Sequence, residues 1–108
     1  MTDALDRALF HSRTWLDSLA ERPVGARASA AELKAVLSRP LPETGRDPAD
    51  IIDDLAADTD AGLHANAGGR FYGWVMAGAL PSALAADWLV SAWDQNSGMF
   101  TVAPATCV

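Results

Sequence analysis

Apolar positions recur at helical intervals through much of the chain, and clusters of proline and glycine divide them into separate segments. Leu5, Leu9, Ser12, Leu16 and Leu19 follow one another at steps of three and four residues, with Trp15 beside that stripe and Asp6, Arg7, Arg13 and Asp17 largely off it. This predicts an amphipathic first helix over residues 3–20. Pro23 and Gly25 break the pattern. Ser29 and Glu32 have the spacing of a capping box, in which hydroxyl and carboxylate each satisfy an orphan backbone N–H, so a short second helix is expected up to Ser38. Pro40, Pro42 and Gly45 mark a turn-rich linker. Asp47 then stands as a capping carboxylate ahead of Pro48, a residue suited to the first helical position. The third helix is expected to carry Ile51, Ile52, Leu55, Ala56 and Thr59 on one face. Asp50, Asp53, Asp54, Asp58 and Asp60 read as its solvated side.

The second part of the chain has a different texture. Residues 65–69 are small, and residues 71–76, rich in aromatic and branched side chains, predict a short strand ended by Gly78. Pro81 and Ser82 open another helix, with Leu84, Ala85, Trp88, Leu89 and Ala92 expected on its buried side as far as Asp94. Asn96, Ser97 and Gly98 end it, and Pro104 suits the first position of a further helix. Three of the four tryptophans and two of the three phenylalanines fall within residues 69–108. So much aromatic surface at one end of an acidic, helical chain predicts a segment made to pack against something.

Composition narrows the partners. The chain has 108 residues, half of them apolar, which suits a single small domain. Its formal charge is −6, and seven of its 14 carboxylates lie between Glu43 and Asp60. The eight basic residues are scattered singly, so a nucleic-acid surface, which needs clustered Lys and Arg, is not expected. Asp87 and Asp94 interrupt the best apolar run before it reaches the roughly 18–20 residues of a membrane span. The opening residues lack the basic, then continuously apolar pattern of a secretory signal, and the single Cys107 has no internal partner. A cytoplasmic location is the expectation.

Isolated chemical motifs are few. His11 and His64 show no metal-ligand spacing, and Gly68, Gly69 and Gly73 do not form a phosphate-cradling loop. Asp87 and Asp94 share a helix face but stand two turns, about 10 Å, apart, which favours solvated or hydrogen-bonding roles over a paired-carboxylate site.

The spaced motifs of residues 69–108 carry more. The run Arg70-Phe71-Tyr72-Gly73, then Leu84-Ala85-Ala86-Asp87-Trp88-Leu89, then Asn96, Met99-Phe100-Thr101 and Ala103-Pro104, resembles the N-terminal region of the group II pyridoxal-phosphate-dependent decarboxylases. That family includes the aromatic amino acid, glutamate and cysteine sulfinate decarboxylases. The resemblance divides the chain into amphipathic helices over residues 1–64 and a family-like segment over residues 65–108. It implies a mainly α fold: the N-terminal helical segment of a fold-type-I enzyme, ending before the α/β cofactor domain.

By the same resemblance, Phe71, Tyr72, Gly73 and Trp74 face the substrate. Asn96, Ser97, Gly98, Met99 and Phe100 lie at the dimer interface, close to the partner's site. The complete enzyme would use pyridoxal phosphate as electron sink for decarboxylation of a small amino acid. The family's Schiff-base lysine and pyridine-contacting aspartate come farther downstream. The one lysine here, Lys34, sits on the short capped helix with nothing in the sequence to desolvate it, so the chain alone is expected neither to bind the cofactor nor to be active. The implied partners are a second copy in a homodimer or the remainder of the enzyme. Two departures stand out. The family's common His-Pro before Arg-Phe is Gly68-Gly69 here, which leaves the lead-in turn without a proline's restraint. The Asn-Gln pair of glutamate decarboxylases is Gly73-Trp74, which removes polar groups able to hold an acidic side chain. A different class of function, a free-standing helical interaction module that binds through its apolar C-terminal half, fits the same composition.

Overall fold

The computed structural model describes residues 2–76 and 78–108. It is mainly α-helical, with α1 (Thr2–Ser18), α2 (Ala30–Leu37), α3 (Pro48–Thr59) and α4 (Pro81–Trp93). Short 3-10 turns follow at Asp60–Gly62 and Pro104–Thr106, and no strand occurs among the described residues. Two compact units result, Met1–Gly78 and Ala79–Val108. The division falls after Gly78, so the small residues and aromatic run that follow Leu63 belong with the helices before them.

Local chemistry sets the helix starts. At α2 the Ser29 hydroxyl accepts from the Glu32 amide while the Glu32 carboxylate accepts from the Ser29 amide at 2.8 Å. These bonds also hold the Glu32 carboxyl below its ordinary pKa, the backbone bond being the larger cause. At α3 the Asp47 carboxylate accepts from the Ala49 amide at 2.7 Å, and Pro48 fills the first turn, where a missing N–H costs nothing. α4 starts at Pro81 without a side-chain cap and ends in Asp94, whose left-handed backbone (φ 45°, ψ 48°) turns the chain away.

In the first unit α1 packs chiefly on α3, and α2 leans on the same helix. The face of α1 that is half-buried carries Ala4, Ala8, His11, Ser12 and Trp15, and Leu19 just past its end is half-buried as well. Leu5, Leu9 and Leu16 of the leucine stripe stay 57%, 36% and 42% exposed. On α3, Ile52, Ala56 and Thr59 are half-buried, while Ile51 and Leu55 are exposed. Among the described residues only Ala65 and Ala103 are fully buried. Two helices in side-by-side contact cover one strip of each other and leave the remaining apolar strips in water.

Three expectations are corrected. Residues 71–76 form turns, because a lone extended segment has no neighbour to take up its backbone hydrogen bonds. On α4 only Leu84 and Trp88 are half-buried; Ala85, Leu89 and Ala92 are exposed, since the helix has little within its own unit to lie against. Four of the five aspartates expected on the solvated side of the third helix are not simply solvated: Asp53, Asp54 and Asp58 on α3, and Asp60 in the turn just after it, each pair with arginine.

Candidate functional site

The aromatic turn is built on the segment that follows α1. The Ala65 amide donates to the Val24 carbonyl at 2.9 Å, and two successive turns follow, Gly68 N–H to Ala65 O and Phe71 N–H to Gly68 O. Phe71 stands between His64 and Trp74, with ring centroids 6.4 and 6.1 Å away. Of the substrate-facing candidates, Phe71 and Gly73 are half-buried, whereas Tyr72 and Trp74 are 94% and 80% exposed. Val75 is fully exposed and Met76 53% exposed beside them. Trp74 has φ 52°, a left-handed backbone rarely adopted by a bulky residue. Gly73 permits the fold of this turn, because a Cβ there would stand 3.0 Å from the Phe71 ring.

The five candidates Asn96, Ser97, Gly98, Met99 and Phe100 lie in the second unit, in the loop after α4. The Asn96 side-chain oxygen accepts from the Gly98 amide at 2.8 Å, and the Ser97 carbonyl accepts from the Cys107 thiol at 3.5 Å. Met99 O accepts from both the Val102 and Ala103 amides, which closes the loop over buried Ala103. Met99 and Phe100 remain 62% and 61% exposed. Asp87, seven residues before Asp94 on α4, is exposed, and Asp94 serves as the helix terminus.

A seam of charged groups, illegible as pairs in the sequence, organises the first unit. Asp53 on α3 receives Arg7 Nε and His11 Nε2 from α1, each at 2.6 Å. An ionised carboxylate only accepts, so His11 Nε2 carries a proton here. The Arg7 bond, then the His11 bond, holds the Asp53 carboxyl below the usual range. Arg39 reaches Asp58 at 2.6 Å and Arg46 reaches Asp54 at 2.7 Å, tying the linker to α3; the Asp54 bond raises the Arg46 pKa. Arg22 stacks 3.6 Å over the Trp15 ring, donates to Ser18 Oγ and pairs with Asp60, which Arg27 also meets. Its Nε is buried without a partner, held against the indole face instead.

The exposed flank of α1 carries a shallow groove of about 410 Å³ lined by Asp6, Leu9, Phe10, Arg13, Thr14 and Asp17. The described residues do not fit pyridoxal phosphate. Lys34, the single lysine, lies exposed on α2 with no enclosure that would lower its proton affinity or screen an imine from water. Nor do three or more His, Cys, Asp or Glu side chains among the described residues converge as metal ligands. No described helix is long and apolar enough to cross a membrane. Compared with protein-family models, curated proteins and solved structures, the chain matches none of them.

Proposed function

We propose that this chain is the N-terminal helical segment of a pyridoxal-phosphate-dependent amino acid decarboxylase of fold type I, contributing dimer interface and substrate-site lining and inactive alone. The observation that carries this reading is the exposure of the family-like aromatics on a tied turn, Tyr72 at 94% and Trp74 at 80%. Aromatic side chains bury large areas where a site is covered, and with Ala65 and Ala103 alone fully buried among the described residues, the chain offers little internal surface to cover them. The cofactor and its lysine then belong to another part of the enzyme, as Lys34 does not suit the task. Gly73 and Trp74 offer a ring face and a single indole N–H in place of two side-chain amides, so the preferred substrate is aromatic or otherwise uncharged, because a buried glutamate side chain left largely unpaired would cost several kcal/mol.

The partner in this reading is a second copy. Leu9 and Phe10 form an apolar centre between Asp6 and Arg13 on the exposed α1 groove. Two such helices laid antiparallel about a two-fold axis at Leu9 and Phe10 bring Asp6 of each copy opposite Arg13 of the other, while the leucines cover one another.

A second reading, the free-standing helical interaction module, draws on the arginine–aspartate seam, which joins α1, the linker and α3 through pairs made within the chain itself. Joining the chain to the cofactor domain of a family decarboxylase separates the two. Decarboxylation of an aromatic amino acid by the joined enzyme is the expected result; a folded, cofactor-loaded fusion inactive on every amino acid would exclude the first reading.

A further inference from the structure

The aromatic turn is preset by one guanidinium. Arg70 Nη2 donates to the Leu19 carbonyl at 3.1 Å and to the Arg22 carbonyl at 2.5 Å, both just beyond the last turn of α1. Both carbonyls lie past the helix ladder and need donors of their own, which one guanidinium nitrogen supplies to the two together. Gly68 is part of the same contact: a Cβ at this position would stand 3.3 Å from the Leu19 oxygen that Arg70 uses, and 3.3 Å from Ala65 O. Beneath the latch, Arg22 is itself fastened to Trp15, Ser18 and Asp60. The anchor is therefore firm. On its other side Arg70 is followed directly by Phe71, whose ring faces Trp74 in its left-handed conformation.

We propose that Arg70 is a positioning residue: by bridging the Leu19 and Arg22 carbonyls it replaces the restraint a proline would give the lead-in turn, and presents Phe71 and Trp74 in a geometry set before anything covers them. What the turn meets rests on the decarboxylase reading; the latch does not. Without Arg70 the two glycines would leave the aromatic run free to rotate, and Trp74 would abandon its strained backbone. With it, a flat apolar ligand meets a ready-made face, and less ordering remains to be done on binding.

The test uses the whole chain labelled with 5-fluorotryptophan, the Trp74 fluorine line being assigned by Trp74→Phe, together with hydrogen exchange at the amides of Ala65, Gly68 and Phe71. Arg70→Ala is expected to move the Trp74 line to the position of an unstructured tryptophan and to speed exchange at those amides by about tenfold or more, leaving α1 and α3 amides unchanged. Gly68→Ala, which displaces the Leu19 carbonyl while keeping Arg70, is expected to move the same line in the same direction. An unmoved Trp74 line in Arg70→Ala overturns the proposal. So does equal loosening of α1 and α3, which would make Arg70 a support of the whole unit. Neither readout involves activity, so an inactive fusion enzyme would remove the substrate-site reading and leave the latch standing.

Discussion

Asp53 illustrates how single side chains hold this chain together. It takes two donors from α1 on one oxygen, and its carboxyl titrates below the ordinary value because Arg7 and then His11 favour the charged form. The stability this gives is present above the unfolded-state pKa of about 4 and is lost as pH falls through the lower folded value. Asp53→Asn is therefore expected to lower the melting temperature at neutral pH, with the gap from the parent chain closing on acidification below about pH 4. A gap that stays constant across that range would show that the charge is not what matters. Arg22 is the stronger case, at 11% side-chain exposure, stacked on Trp15 and paired with Asp60. Arg22→Ala should cost about 1–3 kcal/mol in denaturant unfolding, and Arg22→Lys less, since the charge survives and the planar stack does not.

At the scale of elements, the parts governed by neighbours in sequence were legible and the parts governed by distant partners were not. The Ser29–Glu32 box, the Asp47-Pro48 start and the Pro81 start were readable because their chemistry lies within four residues. Residues 71–76 have the composition of a strand yet form turns, because composition speaks of strand propensity but not of whether a neighbour exists to pair. The leucine stripe of α1 was visible, yet its destination was not: α3 takes the flank with Ala8 and His11, leaving Leu5, Leu9 and Leu16 exposed. The candidate site was legible as a list, since Phe71 and Trp74 do meet, but Arg70's grip on the segment after α1 spans some 50 positions, 48 and 51 for its two bonds, and no local pattern announces it. The uncovered stripe makes its own prediction. Leu9→Asp with Leu16→Asp is expected to weaken self-association at least tenfold, because charge enters the apolar centre of the contact, whereas Asp50→Ala on α3 should change it little. Equal effects from the two variants in the same sedimentation series would place the contact elsewhere.

Across the whole molecule, the balance of covered and uncovered surface points outward. Leu89, Val90, Trp93, Met99, Phe100 and Val102 in the second unit are each half or more exposed, as are Tyr72 and Trp74 in the first. Such surface is normally covered by another protein surface. On the proposed decarboxylase reading, incubating the chain with pyridoxal phosphate and reducing with borohydride should leave no covalent adduct on Lys34 and release no carbon dioxide from any amino acid, and an adduct accompanied by carbon dioxide would overturn the proposal that the reactive centre belongs to another part of the enzyme. On the same reading, joining the chain to the cofactor domain of a family decarboxylase should give an enzyme that turns over aromatic or uncharged amino acids faster than glutamate, and glutamate as best substrate would remove the role given to Gly73 and Trp74.

The central claim is that these helices are shaped to be covered, and sedimentation of the isolated chain over a concentration series tests it most directly. A net charge of −6 opposes association only modestly at physiological salt. The account predicts a sedimentation coefficient that rises with concentration toward that of a dimer, with the rise abolished by Leu9→Asp and Leu16→Asp together. A compact, well-folded monomer at every concentration would contradict it.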